Sequence, residues 1–369
     1  MFDIREVISK EDILLFHSIT DLVYSDDPKY IKPLTKDIEK IFNPRKNLNF
    51  QNGEARRFVL WSNDTPIGRF AVFYQTKKSG EKMGGMGFFE CLNNKDAAFA
   101  IFDFCANWLE ANGCEYMDGP VNFGDRDVFW GLLIHSETDP SYCENYNPPY
   151  YQSFFEEYGF EKVIEQSTAE ISPDEFNIER FAKLAERVTK NPRYRFEYID
   201  YGKKQKFAAD FTEIYNKAWA FHEDFKPMSV EKIMKRFKEI KPAMPEGIAV
   251  FAYADNQPAG FFINIYELNQ VFRKFNGKLN WWNGLRFLMQ RGNITKTRGI
   301  IFGIVPEFQN LGLETGMIMK FREYFLQSQN LKSAELAWIG DFNPKMLSLL
   351  KALGSHTTKI HYTYRKYFK

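Results

Sequence analysis

The segment IIFGIVPEFQNLGLETGMIMKF, residues 300 to 321, has the pattern of a site for a phosphorylated ligand. An apolar strand runs into Pro306, a short turn follows, and a helix begins, so the first N–H groups of that helix lack carbonyl partners along the chain. The N–H groups of Gln309, Asn310, Leu311, Gly312 and Leu313 would converge ahead of the helix, where its dipole also favours an anion such as a pyrophosphate. Gly312 permits close approach of backbone and ligand. A plain strand-to-helix connection has the same local pattern, so the reading depends on what surrounds the segment.

Proton-transfer chemistry has fewer candidates. His222 is suited to proton transfer near neutral pH, and Glu223 follows it. Their context, HEDFK, lacks the HExxH spacing of zinc hydrolases. Asp341 and Tyr266 are further candidates. Cys91, Cys105, Cys114 and Cys143 lie 14, 9 and 29 residues apart, which fits neither a CxxC pair nor a zinc site, so no metal is expected and the thiols read as reduced and mostly buried. Lys and Arg number 49 against 48 Asp and Glu, a balance that argues against an acidic polymer such as nucleic acid as the main partner. No apolar run approaches the ~18 to 20 residues that span a bilayer, and MFDIREVISKED is charged from the outset, so a cytoplasmic protein is expected.

The elements that must position these residues occur twice. Residues 63–74, NDTPIGRFAVFY, match 255–266, DNQPAGFFINIY, and SFFEEYGF, ending at Phe160, resembles SLLKALGS, ending at Ser355. Gly68 and Gly159 are 91 residues apart, Gly260 and Gly354 are 94 apart, and the halves read as copies of one domain. In the first, a hairpin over residues 56–76 precedes a long strand GGMGFFECL and a helix whose Ile101, Phe104, Cys105, Trp108 and Leu109 share one face. In the second, helices over 208–220 and 230–240 precede a hairpin, an insertion, the strand GIIFGIV and a helix over 311–327. Strands with helices crossing behind a mixed sheet give an α/β layered fold in two tandem domains, 1–190 with a connector helix and 191–369.

On these residues the chain resembles the GNAT superfamily of acyl-CoA-dependent N-acyltransferases, whose cofactor loop reads Gln/Arg-x-x-Gly-x-Gly/Ala after a V-x-P-x strand end. Gln309, Gly312 and the VPEF lead-in match that loop, and Asn343 and Gly354 match the closing motif. The resemblance implies acyl-CoA or acetyl-CoA as co-substrate, its pyrophosphate on the amides of Gln309 to Leu313 and its pantetheine beside Ile304 and Val305. It also places the loop carrying His222 and Glu223 at the acceptor site, with one of them as base. Two departures stand out: Glu314 replaces the small residue that closes the loop motif, and Leu350 and Phe155 replace the tyrosine that reprotonates the leaving thiolate. The first half lacks the loop motif and is expected to be non-catalytic.

GFFE (87–90), GPVNF (119–123), WGLLI (130–134), YNPPYY (146–151), YNKAWAFHEDFKPM (215–228) and YELNQ (266–270) carry a narrower resemblance, to tandem GNAT proteins typified by bacterial ceramide synthases. This implies acylation of the amine of a long-chain base or other amphiphile, with Trp219, Phe225, Tyr266, Asn269, Trp281 and Trp282 as candidate acceptor contacts. The alternatives are a non-catalytic binding protein and an aminoacyl-tRNA-dependent peptide transferase. Residues 271–298 carry seven basic residues and no acidic one, interleaved with Trp281, Trp282, Leu285, Phe287, Leu288 and Met289, the composition of a segment lying on an anionic membrane. A peripheral place at the inner face of the membrane is therefore the alternative to a freely cytoplasmic one.

Overall fold

The computed structural model describes residues 1–172, 175–221 and 225–368. The first half runs β1 (Phe2–Glu6), α1 (Lys10–Val23), α2 (Thr35–Ile41), β2 (Gly53–Ser62), β3 (Thr65–Thr76), β4 (Lys82–Cys91), α3 (Lys95–Ala111), β5 (Tyr116–Gly119), β6 (Leu132–Ser136), α4 (Tyr150–Tyr158) and β7 (Glu161–Ile171). The connector helix α5 (Ile178–Thr189) leads into β8 (Tyr194–Tyr198), α6 (Lys204–Ala218), α7 (Val230–Ile240), β9 (Ala249–Ala254) and β10 (Gln257–Tyr266). An insertion with α8 (Asn269–Phe272) and α9 (Trp281–Gln290) precedes β11 (Lys296–Ile304), α10 (Leu313–Gln327), β12 (Ser333–Gly340), α11 (Pro344–Leu353) and β13 (His356–Tyr367).

The internal repeat is visible in backbone conformation. Asn63 and Asp64 between β2 and β3, and Asp255 and Asn256 between β9 and β10, all have positive φ, the two-residue turn whose twist matches a hairpin. The helices α4 and α11 both end on a left-handed glycine, Gly159 at φ 92° and Gly354 at φ 93°. Each half has its own aromatic core: Phe58, Phe70, Phe102 and Phe155 in the first, Phe211, Phe251, Phe261 and Phe321 in the second.

The sheets of the two halves are one. The strand order is β1-β2-β3-β4-β5-β13-β7-β12-β11-β10-β9-β8, with β6 also paired to β13. The last strand of the first half, β7, lies against β12 of the second, and the last strand of the chain, β13, lies between β7 and β5. The halves thus exchange their closing strands, so a cut near residue 190 does not separate two sheets. Residue patterning finds strands but does not choose their partners, which is why the exchange was not legible beforehand.

Only part of the 271–298 segment faces solvent, a division that its composition did not show. Val271, Phe272, Phe275, Phe287 and Ile294 form a small core with Leu34 of the first half. Among its basic residues, Arg273 pairs with Asp139 at 3.0 Å, Lys296 pairs with Glu170 at 2.5 Å, and Arg298 is buried.

Candidate active site

The chain leaves β11 through a 3-10 turn, Pro306–Phe308, and enters α10 through two left-handed residues, Asn310 (φ 62°) and Gly312 (φ 82°), on either side of Leu311. Such alternation turns successive N–H groups toward one point, an anion-binding nest. Among the described residues, the N–H groups of Asn310 to Glu314 meet no acceptor ahead of the helix, and Gly312 supplies no side-chain cap. Gln309 Nε2 donates to the carbonyl of Ile304 at 3.3 Å and closes the base of the loop. Behind it packs α5: a Cβ added to Gly312 would meet Val188 Cγ2 at 2.9 Å, and Val188 shares a buried cluster with Leu313. Glu314, half-buried in the first turn of α10, forms no ion pair among the described residues.

In the first half the equivalent positions are filled. The N-terminus of α3 is capped by its own Asn94, whose Oδ1 accepts the Ala97 N–H at 3.0 Å. The space beside β4 is taken by the chain after the Gly119–Pro120 turn: Val121 N–H donates to the Met86 carbonyl at 2.8 Å, and the Val121 carbonyl lies directly against Gly87. A cavity of about 50 Å³ remains there, lined by Tyr30, Arg69, Glu90, Cys143 and Tyr151. Burial raises the Glu90 carboxyl, while Arg69 opposes that rise.

The second half keeps the gap open. Parallel pairing of β11 with β12 covers only Lys296–Gly299 against Ser333–Leu336, and beyond it the strands part. Trp219 lies on the backbone of Gly303, so that a Cβ there would be 2.6 Å from the indole ring. The indole stacks on Tyr215 (centroids 4.9 Å apart, 15° between planes) and on Phe261, and Phe225 lies 6.0 Å from Tyr215. Two hydrogen bonds between Asn216 and the backbone of Met228, 2.8 and 3.0 Å, clip the connection between α6 and α7. His222 and Glu223 lie outside the described residues.

The structure therefore gathers Ile304, Val305, Gln309, Asn310, Leu311, Gly312, Leu313, Trp219 and Phe225 about the end of β11. Asp341 and Asn343 stand at the end of β12. The Asp341 backbone N–H and carboxylate bond both ways to the Glu165 backbone at 2.9 and 3.1 Å, and Asn343 caps α11 through the Met346 N–H at 3.2 Å. Tyr266 pairs with Thr297 at the opposite end of β11. Asn269 there donates to the Pro140 carbonyl at 2.9 Å, and Trp281 and Trp282 lie exposed on α9. At ~3.3 Å per residue the length of β11 puts roughly 27 Å between these two groups. Leu350 is buried in the second core and Phe155 in the first. Among the described residues no cluster of three His, Cys, Asp or Glu could hold a metal ion.

Sequence reasoning missed a buried ionic group at the seam between the halves. Lys359 on β13, 1% exposed, donates to Ser141 Oγ, to Glu144 at 2.8 Å and to Glu335 at 2.9 Å. Arg298 on β11 lies 3.5 Å from Glu335 and 3.9 Å from both Glu144 and Glu267. Burial would raise Glu144, but Lys359 and Arg298 outweigh it and hold that carboxyl well below the usual range. Glu267 is pushed up to about 7, first by burial and then by Glu335, with Arg298 opposing. A lone charge inside an otherwise apolar strand, Glu335 in AELAWIG, was the one legible signal.

Glu267 carries a pH prediction. Its folded pKa exceeds its unfolded one, so the folded state binds more protons between about pH 4.5 and 7, and stability is lost as pH rises through that window. Glu267→Gln keeps an acceptor for the Tyr142 and Asn269 N–H groups, each at 2.9 Å. The variant is expected to be more stable than the parent at pH 8, by on the order of 1 to 3 kcal/mol, and little changed at pH 5. Denaturant midpoints at the two pH values test this; an equal change at both would remove Glu267 as the titrating group.

No family model matches the chain. It is 22% identical to protein YghO of Escherichia coli K12 over 377 residues, 98% of this chain and 95% of that one. It is also 22% identical to the bacterial ceramide synthase of Caulobacter vibrioides over 356 residues, 93% and 91% of the two chains. Among solved structures it matches a tandem GNAT protein from the clavulanic acid biosynthesis pathway with a TM-score of 0.58 at 11% identity, over 100% of this chain and 98% of that chain. The GCN5-related glucosamine N-acetyltransferase region of a fungal multi-domain β-N-acetylglucosaminidase gives 0.57 at 10% identity, over 99% of this chain and 38% of that longer one.

Proposed function

We propose, from the premise that this chain is a tandem GNAT-fold protein, that its second half transfers an acyl group from acyl-CoA to the amine of a long-chain base or other amphiphile. The observation that carries this reading is the asymmetry between the repeats: α3 is capped by Asn94, whereas α10 begins at a glycine with its first amides free, beside strands that part. The likeness to a bacterial ceramide synthase along nearly the whole chain supports the acceptor class.

The residues present fit the co-substrate. The amides of Asn310 to Leu313 offer a pyrophosphate several charge-assisted hydrogen bonds, and the free edge of β11 offers backbone groups to the amides of a pantetheine arm. Bound acyl-CoA supplies the acyl group as a thioester. Trp219 covers the face of β11 at Gly303, with Tyr215 and Phe225 behind it, and shields the end of that strand from water. His222, or Glu223 beside it, takes the proton of the attacking amine; the C–N bond forms, the C–S bond breaks, and the proton leaves with the thiol. Glu314 must turn from the nest, because a carboxylate ~4 Å from a phosphate costs on the order of 1 to 4 kcal/mol.

Leu350, a buried residue at the sequence position where the resembled superfamily carries a proton-donating tyrosine, favours a second reading, binding of acyl-CoA without turnover. The two separate in an assay of free thiol released from palmitoyl-CoA with and without a long-chain amine. Amine-dependent release is expected. Palmitoyl-CoA that binds but releases no thiol with any amine would establish the second reading instead.

A further inference from the structure

The insertion between β10 and β11 displays an apolar surface with no partner in the fold. On α9, Trp281 (67% exposed), Trp282 (59%), Leu285, Leu288 and Met289 (67%) all face solvent, and the two indoles stack at 3.7 Å. At roughly 100° per residue these five side chains fall within an arc of about 120°, and Phe287, which is buried against Phe272, lies on the other side. The face is the outcome of a helix held by one buried aromatic, capped by Asn280 and turned outward.

Its rim is basic. Lys274, Lys278, Arg286 and Arg291 are exposed and, among the described residues, have no carboxylate within ion-pair distance. Arg291 is held in place by the carbonyl of Pro242 at 3.0 Å, which leaves its charge uncompensated. No acidic residue occurs from 271 to 298. A second copy of the chain docking here about a two-fold axis would bring these cations onto their own images, which disfavours self-association. An anionic surface with an apolar interior satisfies both parts of the patch.

We infer that α9 is a membrane-docking helix: Trp281, Trp282, Leu285, Leu288 and Met289 enter the interfacial zone of an anionic bilayer, and Lys274, Lys278, Arg286 and Arg291 contact its headgroups. No helix among the described residues is long and apolar enough to cross a membrane, so the contact lies in the plane of one leaflet. The inference stands on this surface and not on the acyltransferase reading, but it deepens that reading. The helix sits at the start of β11 and the anion nest at its end, so a bilayer beneath α9 leaves the nest in water while an amphiphilic amine reaches the strand from the membrane side.

The test is co-sedimentation of the full chain with phosphatidylcholine vesicles, with and without about one-third phosphatidylglycerol. Binding to the anionic vesicles is expected, with partitioning at least about tenfold weaker on neutral vesicles or in about 0.5 M salt. The exposed variant Trp281→Ala/Trp282→Ala, and separately Lys278→Glu/Arg286→Glu, should each lose at least about tenfold in partitioning with an unchanged melting temperature. Absence of binding by the folded parent protein would overturn the proposal. So would wild-type binding by the tryptophan variant, or a dimer that disappears in that variant while the parent ignores vesicles. Because no co-substrate is present, failure here leaves the thiol-release result untouched, and the reverse holds.

Discussion

Replacement of Lys359 by methionine is expected to destabilise the fold by about 3 to 5 kcal/mol, the range for removing one partner of a buried ion pair. The ammonium is 1% exposed and bonds to Ser141, Glu144 and Glu335, groups drawn from a loop of the first half and a strand of the second. With Glu267 protonated, the two cations Lys359 and Arg298 balance the carboxylates of Glu144 and Glu335. Without the lysine, one carboxylate keeps an uncompensated buried charge or takes up a proton. The deficit should therefore shrink as pH falls toward 5. Adding Glu335→Gln to the variant should recover part of the loss, because it removes the orphaned charge. Urea unfolding at pH 7 and pH 5 measures both effects. A loss below about 1 kcal/mol at pH 7 would mean that the seam does not depend on this pair.

Gly312→Val is expected to weaken acyl-CoA binding at least about a hundredfold and to abolish turnover. A β-branched residue at φ 82° is strained by on the order of 1 to 3 kcal/mol, and its Cβ would start 2.9 Å from Val188. The chain relieves that strain by leaving the left-handed region, which turns the amides of Gly312 and Leu313 off their common point. Losing these two charge-assisted hydrogen bonds, worth about 1.5 to 3 kcal/mol each, accounts for the expected drop. Overall stability should fall only by the strain itself, so the variant remains folded and its loss of binding is interpretable. Asn94→Gly, which uncaps the corresponding helix in the first half, should leave acyl-CoA binding unchanged, since Val121 occupies the space beside β4.

These two sites differ in how far the sequence announced them. The nest could be read from Pro306, Gln309 and Gly312, because strand end, turn and uncapped helix start are all local features. The hairpin turns, the repeat and the glycine stops of α4 and α11 were legible for the same reason. The ionic seam was not, because its members come from residues 141 to 359 and meet only when β13 slides between β5 and β7. The antiparallel pairing of β10 with β11 explains the dispersal of the candidate acceptor contacts. Trp219 and Phe225 follow α6 to the end of β11, whereas Tyr266, Asn269, Trp281 and Trp282 follow the β10 connection to its start. Adjacency in the pattern YELNQ gave no information about which end of the sheet it would occupy. The insertion misled in another way: its basic and aromatic composition is uniform, yet Phe287 and Arg298 turn inward while Trp281 and Arg286 turn outward. Helix phase and strand pairing, not composition, decide between them.

The measurement that tests the central claim most directly is a titration of the purified chain with CoA, acetyl-CoA and palmitoyl-CoA, followed by thermal unfolding, for the parent protein and Gly312→Val. A ligand at ~100 times its dissociation constant adds about 2.7 kcal/mol of stability. Stabilisation of the parent by all three, greatest with palmitoyl-CoA and absent in the variant, is the predicted result. A folded parent that responds to none of them, or a variant stabilised as much as the parent, would contradict the assignment of the nest before α10 as the acyl-CoA site.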